Sequence, residues 1–295
     1  LSISEVGGVR KVLTEKVLTR GGEKAKPEKM APSSPIGVFD SGVGGLTVLR
    51  QLMHKLPHED ILYLADTARI PYGGRPPEEI IKINQEIIPF LIKHGAKMIV
   101  IACGTSSAIA YPILKDQYPI QMISLIEPGS RAAVDATRSG TIGLIATVGT
   151  VNSHAYQHKI KELKKEVVVH AAGCPLFVPL IEGGFIEAEE TRRVAREYLK
   201  PLLKEKIDTL ILGCTHYPHL YQLLQQLTGP NVTLIDPAEE AVNDAKKLLK
   251  GAGNLRPAVQ AKYEFMVTGS VMQFEELGSR LLGRPIIGAR QVKLS

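Results

Sequence analysis

Two cysteines frame the chemistry open to this chain. Cys103 closes the run Met98-Ile99-Val100-Ile101-Ala102 and is followed by Gly104, Thr105, Ser106 and Ser107. Cys214 closes Thr209-Leu210-Ile211-Leu212-Gly213 and is followed by Thr215 and His216. Each apolar run reads as a buried parallel strand, and the small hydroxylic residues after it as a turn opening a helix. Both thiols would then stand just past the carboxyl end of a strand, where open α/β sheets hold their ligands. Unpaired amides and the dipole at a helix start favour a thiolate, drawing a thiol from about 8.5 toward working pH. The third cysteine, Cys174 in Gly-Cys-Pro, reads as a small buried hydrophobe.

Other polar groups extend the chemistry. Asp40-Ser41-Gly42-Val43-Gly44-Gly45 comes after an apolar run but lacks both the glycine spacing of a dinucleotide loop and the Gly-Lys-Ser/Thr of a P-loop. Its glycines suit close approach of backbone amides to a small anion such as a carboxylate, with Asp40 either a cleft group or a helix cap. His216, two residues after Cys214, is a proton partner or a metal ligand. Three readings are open. In the first, two thiols on opposite faces of a substrate carbon act as acid and base, tuned by Asp40 and His216, and invert a stereocentre without a cofactor. In the second, Cys103, Cys214, His216 and Asp40 hold zinc, although each cysteine lies in a different half of the chain without a close-spaced partner. The third is a small-ligand binding module in which the thiols are incidental.

Composition narrows the field. At 295 residues and 44% hydrophobic, the chain has material for two domains with real cores. It has no apolar run of membrane-spanning length and no apolar signal core, so neither a membrane protein nor a secreted one is expected. Three cysteines without a CxxC pair fit a reducing cytosol. Of the net charge of +6, residues 1–34 carry half, seven basic against four acidic side chains. The body shows no basic stripe interleaved with aromatics, and no nucleic-acid partner is expected. The tail has little apolar periodicity and is expected to be a disordered extension, with Met30 a plausible start of the functional body.

From Ile36 onward strand and helix alternate, which predicts mainly parallel sheets covered by helices. Strands are expected at 36–39, 61–65, 98–102 and 263–267, and helices near 46–55, 78–94 and 272–282. The second half repeats the first. Ile142-Gly-Leu-Ile-Ala-Thr-Val-Gly-Thr answers Ile36-Gly-Val-Phe-Asp-Ser-Gly-Val-Gly, and Val167-Val-Val-His-Ala answers Ile61-Leu-Tyr-Leu-Ala. Cys214 answers Cys103, and Thr233-Leu-Ile-Asp-Pro answers Ser124-Leu-Ile-Glu-Pro. Four matches in order indicate a duplicated α/β unit. Glu127-Pro128 and Asp236-Pro237 are read as ends of equivalent strands, where the chain crosses between domains.

These motifs carry a resemblance. The chain resembles the glutamate racemases of the cofactor-independent aspartate/glutamate racemase group, from about Ile36 to the C-terminal region. The motifs that carry it are Val-Phe-Asp40-Ser41-Gly-Val-Gly-Gly-Leu-Thr, Ala-Asp66-Thr-Ala-Arg-Ile-Pro-Tyr72-Gly73, Ala-Cys103-Gly104-Thr105, Cys174-Pro-Leu-Phe-Val-Pro-Leu-Ile-Glu182 and Gly-Cys214-Thr215-His216-Tyr-Pro. The resemblance implies interconversion of L- and D-glutamate for peptidoglycan, with no cofactor and no metal, by a cytoplasmic homodimer. Cys103, assisted by Asp40, would deprotonate the D-enantiomer, and Cys214, assisted by His216, the L-enantiomer. Asp40, Ser41, Tyr72, Gly73, Gly104, Thr105, Thr215 and His216 would hold the substrate, with Thr147, Thr150 and Glu182 further pocket residues.

One departure stands out. Family members commonly carry Asn after the first cysteine, where this chain has Gly104. A lost hydrogen bond to a charged group is worth about 1.5 to 3 kcal/mol, unless Ser106 or a water replaces it, and aspartate is the alternative substrate. The expected architecture is two pseudo-symmetric α/β domains with the active site in the cleft between them. Residues 35–128 and 237–295 would form the first domain, residues 129–236 the second, and 1–34 the extension.

Overall fold

The computed structural model describes residues 30–294. Most of the expected extension, residues 1–29, lies outside the described residues.

The first half runs β1 (Ile36–Asp40), α1 (Leu46–Lys55), β2 (Ile61–Ala65), α2 (Pro77–Lys93), β3 (Met98–Ile101), α3 (Gly104–Ile109), α4 (Tyr111–Leu114), β4 (Met122–Ile123) and α5 (Ile126–Ala136). The second runs β5 (Thr141–Ala146), α6 (Val148–Asn152), α7 (Ala155–Leu163), β6 (Val168–Gly173), α8 (Phe177–Glu182), α9 (Glu189–Lys204), β7 (Thr209–Leu212), α10 (Tyr221–Thr228), β8 (Thr233–Ile235) and α11 (Pro237–Gly251). The chain closes with β9 (Tyr263–Val267), α12 (Val271–Leu282) and β10 (Arg290–Gln291). No helix among the described residues is long and apolar enough to cross a membrane.

Every strand pairing among the described residues is parallel. One sheet has the order β10-β9-β2-β1-β3-β4 and the other β6-β5-β7-β8. The duplication is therefore present in space: β2-β1-β3-β4 and β6-β5-β7-β8 are the same arrangement twice. The two cysteines occupy equivalent places, since Ile36 pairs with Met98 and Ile142 with Thr209, each five residues before its cysteine. The last strands return to the first sheet, where β9 lies beside β2.

Two matches in the sequence repeat are offset from the structural one. Ile36 pairs with Ile61, but Ile142 pairs with Val169 rather than Val167. Because β9 covers β2, all five of its residues are buried, whereas β6 is a sheet edge and stays half-exposed. Edge strands are held less tightly to a hydrophobic pattern. The Ser124-to-Pro128 match is likewise a correction: β4 ends at Ile123, and Glu127 lies in the first turn of α5, while Asp236 caps α11 through Ala238 N–H at 2.9 Å. By sheet register, Met122 rather than Leu125 is the counterpart of the second-half Leu234.

These two strand ends still lead into the helices that join the halves. Helix α5 packs on α7 of the second half, α11 on α1 of the first, and the two pack on each other. A Cβ at Gly129 would lie 2.9 Å from the Pro237 ring, so the glycine permits this crossing. Arg131 clamps Asp244 through both carboxylate oxygens at 2.8 and 2.6 Å. One apolar core runs through both halves, from Val38 and Val100 through Ala241 and Leu249 to Leu210 and Phe177.

Candidate active site

The carboxyl ends of both sheets face one cleft. From the first sheet come Asp40 and Ser41 after β1, the loop carrying Tyr72 and Gly73 after β2, and Cys103, Gly104 and Thr105 after β3. From the second come Thr147 after β5, Cys174 after β6, Glu182 at the end of α8, and Cys214, Thr215 and His216 after β7. Together they line a cavity of about 580 Å³. Of the residues singled out from sequence, only Thr150 stands back from the wall. It is buried behind Thr147, which caps α6 by accepting from the Thr150 N–H. Sequence reasoning missed the apolar side of the cavity, Ile70, Pro71, Val148, Pro175, Val178 and Pro179. Their only local signal was proximity to the motifs.

Direct contacts join the two halves across the cleft. Thr105 and Thr147 hydroxyls meet at 3.1 Å, the Gly149 N–H donates to Gly73 O at 2.8 Å, and Thr47 Oγ1 donates to Thr215 O at 2.9 Å. Arg280 on α12 donates to the carbonyl of Glu182.

His216 is the cation of the site. Its Nδ1 lies 3.8 Å from Cys214 Sγ and its Nε2 2.9 Å from Glu182 Oε1. Burial alone would lower the imidazole, but hydrogen bonds to Cys214 and Glu182, then the charges of Cys214 and Asp40, hold it up at about 10. It is therefore imidazolium at neutral pH. Asp40 is also buried, and desolvation raises its carboxyl. That rise is opposed by His216 and by backbone N–H groups, with Gly45 N at 2.8 Å and Gly42 N at 3.2 Å from Oδ2. Asp40 lines the cleft, but it is not the cap of α1, whose N-cap is Gly45 with no side-chain capping bond.

The thiols depart from the helix-dipole expectation. Cys103 holds the N-cap position of α3 without a side-chain capping bond, and burial, followed by the neighbouring Asp40 charge, pushes its thiol up to about 12. A six-residue helix offers too little field to offset full desolvation. After Cys214 there is no α-helix start but a 3-10 turn, Tyr217–Leu220, with Pro218 in it. Proline has no N–H to offer, and His216 stands where a helix N-terminus was expected. Cys174 lines the wall but is fully buried, its Sγ 3.5 Å from Ala172 O, and desolvation raises it further.

Tyr72 is occupied rather than free. Its hydroxyl donates to Asp66 Oδ2 at 2.5 Å, and Asp66 also accepts from Arg69 Nε at 2.7 Å and Thr268 Oγ1 at 2.7 Å. The ring is thus fixed as a wall, with Asp66 behind it as its anchor. Among the described residues no group of three or more His, Cys, Asp or Glu is placed to hold a metal ion. The donor set weighed for zinc is not assembled.

Residues 37–245 match the family model for Asp/Glu/Hydantoin racemases. The chain belongs to this racemase family. A glutamate racemase of Syntrophus aciditrophicus is 44% identical over 261 residues, covering 88% of this chain and 97% of that protein. The crystal structure of a glutamate racemase isoform from Bacillus anthracis matches with a TM-score of 0.86 at 40% identity, covering 88% of this chain and 98% of that one. A glutamate racemase from Francisella tularensis, solved with D-glutamate, matches with a TM-score of 0.84 at 38% identity, covering 90% and 99%. These racemases resemble the chain over both sheets and the cleft between them.

Proposed function

We propose that this racemase interconverts L- and D-glutamate by a two-base mechanism without a cofactor, supplying D-glutamate for peptidoglycan. One observation carries the reading: two thiols at equivalent strand ends of a duplicated fold border the same cavity. Glutamate as substrate is supported by the similar glutamate racemases, which this chain covers almost end to end.

With D-glutamate bound, the Cys103 thiolate takes the Cα proton and the Cys214 thiol delivers one to the opposite face. The reverse direction exchanges the roles. An amino-acid Cα–H is far less acidic than a thiol, so hydrogen bonds to the developing carbanion and exclusion of water must supply the difference. His216, charged and beside Cys214, can donate to that sulfur as it gives up its proton. Asp40, reached by His216 and by two backbone amides, suits the substrate ammonium. Ser41, Gly73, Gly104, Thr105, Thr215 and Thr147 present hydroxyl and backbone groups to the carboxylates. No Lys or Arg among the described residues lines the cavity.

The division we adopt is residues 35–128 with 237–295 against 129–236, working as a homodimer in a reducing compartment such as the cytosol, which suits three free thiols. The test is solvent deuterium uptake at Cα together with optical inversion, for L-glutamate and then L-aspartate, with chelator present. Inversion of glutamate with deuterium in the product is expected. Preference for aspartate would change the substrate, and folded protein silent on both would end the racemase reading.

A further inference from the structure

Glu182 reaches His216 from the end of α8, and that end is held from the other sheet. Helix α8 runs out into Gly183 and Gly184, and the N–H groups of Gly183, Gly184 and Phe185 take up the carbonyls of Pro179, Ile181 and Leu180. The Glu182 carbonyl is the next one along, and among the described residues no backbone N–H beyond the helix meets it. Arg280 does, through Nη2. The same guanidinium lies against the turn that follows, its Nη1 3.7 Å from where a Cβ on Gly184 would stand.

The helix that carries Arg280 is anchored to the first half. Helix α12 buries Phe274, Leu281 and Leu282 in the common core and packs on α1. Phe274 stacks on Tyr63 of β2 with ring centres 6.1 Å apart, and a Cβ on Gly278 would lie 3.2 Å from the Leu46 side chain. Glu182 is therefore held twice, its carbonyl by Arg280 and its carboxylate by His216 Nε2 at 2.9 Å. A carboxylate only accepts, so Nε2 carries the proton of that bond. The opposite edge of the ring faces both Cys214 and the first half: Nδ1 is 3.8 Å from Cys214 Sγ, and a Cβ on Gly44 would lie 2.3 Å from it.

We propose that Arg280 is a positioning residue for the Cys214 side of the reaction: from the first half, it sets the end of α8 so that Glu182 orients the His216 ring beside Cys214. The proposal rests on the two-cysteine reading above, but its central test needs no turnover. In the full chain carrying isotope-labelled histidine, the His216 ring N–H bonded to Glu182 is followed by NMR at neutral pH and identified by its loss in His216→Asn. The Arg280 side chain is exposed, so Arg280→Met should fold. Its His216 N–H signal should shift or broaden away as the bond to Glu182 loosens and solvent reaches it. Arg280→Lys keeps a donor and should restore part of the signal. In turnover, kcat of Arg280→Met with L-glutamate should fall by about two- to tenfold, the worth of one hydrogen bond, and by more than kcat with D-glutamate. Adding Glu182→Gln should cost little beyond the larger single loss. No such signal in the native chain, an unmoved one in folded Arg280→Met, or equal kcat losses for the two enantiomers overturns the proposal. A moved signal in a protein inactive on glutamate would leave the positioning of His216 standing and remove the racemase reading instead.

Discussion

A Cβ on Gly104 would lie 2.5 Å from the carbonyl oxygen of Gly213. The turn after the first cysteine strand and the turn before the second cysteine thus meet backbone to backbone, one from each sheet. The space that a side chain at position 104 would need is here taken up by the opposite half of the molecule. Gly104→Ala and Gly104→Asn should therefore push the two cysteine turns apart rather than add a substrate contact. Overpacking of this kind costs about 1 to 3 kcal/mol, so a lower Tm and a kcat/KM reduced by about tenfold or more are expected. An asparagine variant with lower KM and unchanged Tm would show that the turn yields freely and that the amide was the missing contact.

Cys103→Ser and Cys214→Ser should each leave the fold intact and suppress racemisation by about 10²- to 10⁴-fold or more, the usual range for a lost acid–base group. A serine hydroxyl is a far poorer proton acceptor than a thiolate. Turnover near that of the native chain in either variant would remove that cysteine from the mechanism.

His216 stands beside Cys214 and bonds Glu182, all on one side of the site. Enantiomers have equal free energy, so kcat/KM must remain equal in the two directions whatever is mutated. The asymmetry has to appear elsewhere. In His216→Asn, kcat with L-glutamate should fall more than kcat with D-glutamate, with the KM values moving to preserve the ratio. Parallel progress curves for both enantiomers check this, and equal kcat losses would leave His216 a structural role.

The same pair gives a pH signature in stability. His216 titrates at about 10 in the folded protein against 6.5 as its ordinary value. Because the folded value is the higher one, the stabilisation is complete below about 6.5 and is lost as pH rises through about 10. Glu182→Gln removes part of it. The Tm gap between the native chain and this variant should be open near neutral pH and close above pH 10, in a series of thermal melts. A gap constant across that window would separate Glu182 from the His216 charge.

Far from the cleft, Lys97 and Glu59 form an ion pair at 2.6 Å with side chains 0% and 2% exposed. Lys97 also donates to Pro32 O and Asn254 O at 2.6 and 2.9 Å, tying chain segments together at the opposite end of the first sheet. Lys97→Met leaves a buried carboxylate without its partner and should cost about 3 to 5 kcal/mol. Denaturant unfolding measures the loss, and activity below the melting range should be retained.

The parts legible in sequence are those decided by neighbours along the chain. Apolar runs ending at Asp40, Cys103 and Cys214 are strands because their length and burial demand it, and residues just past a strand end must face the ligand side of the sheet. Local order thus determined the fold class, the duplication and the two thiols. Where a strand lay at a sheet edge, as at β6, or was only two residues long, as at β4, the pattern was too weak to set the register.

Tertiary structure decided everything that depends on two distant segments meeting. Glu182 finds His216 across 34 positions, Asn84 finds Ser106 across 22, and Gly104 meets Gly213 from the other sheet. The electrostatics went the same way: a helix start after Cys103 promised a favoured thiolate, and burial reversed it. The sequence by itself determined which residues could do proton chemistry and at which strand ends they stand. Only the packing of the two halves decided which of them touch, which are charged and how deeply they are desolvated, because those are properties of surroundings that no local stretch of chain contains.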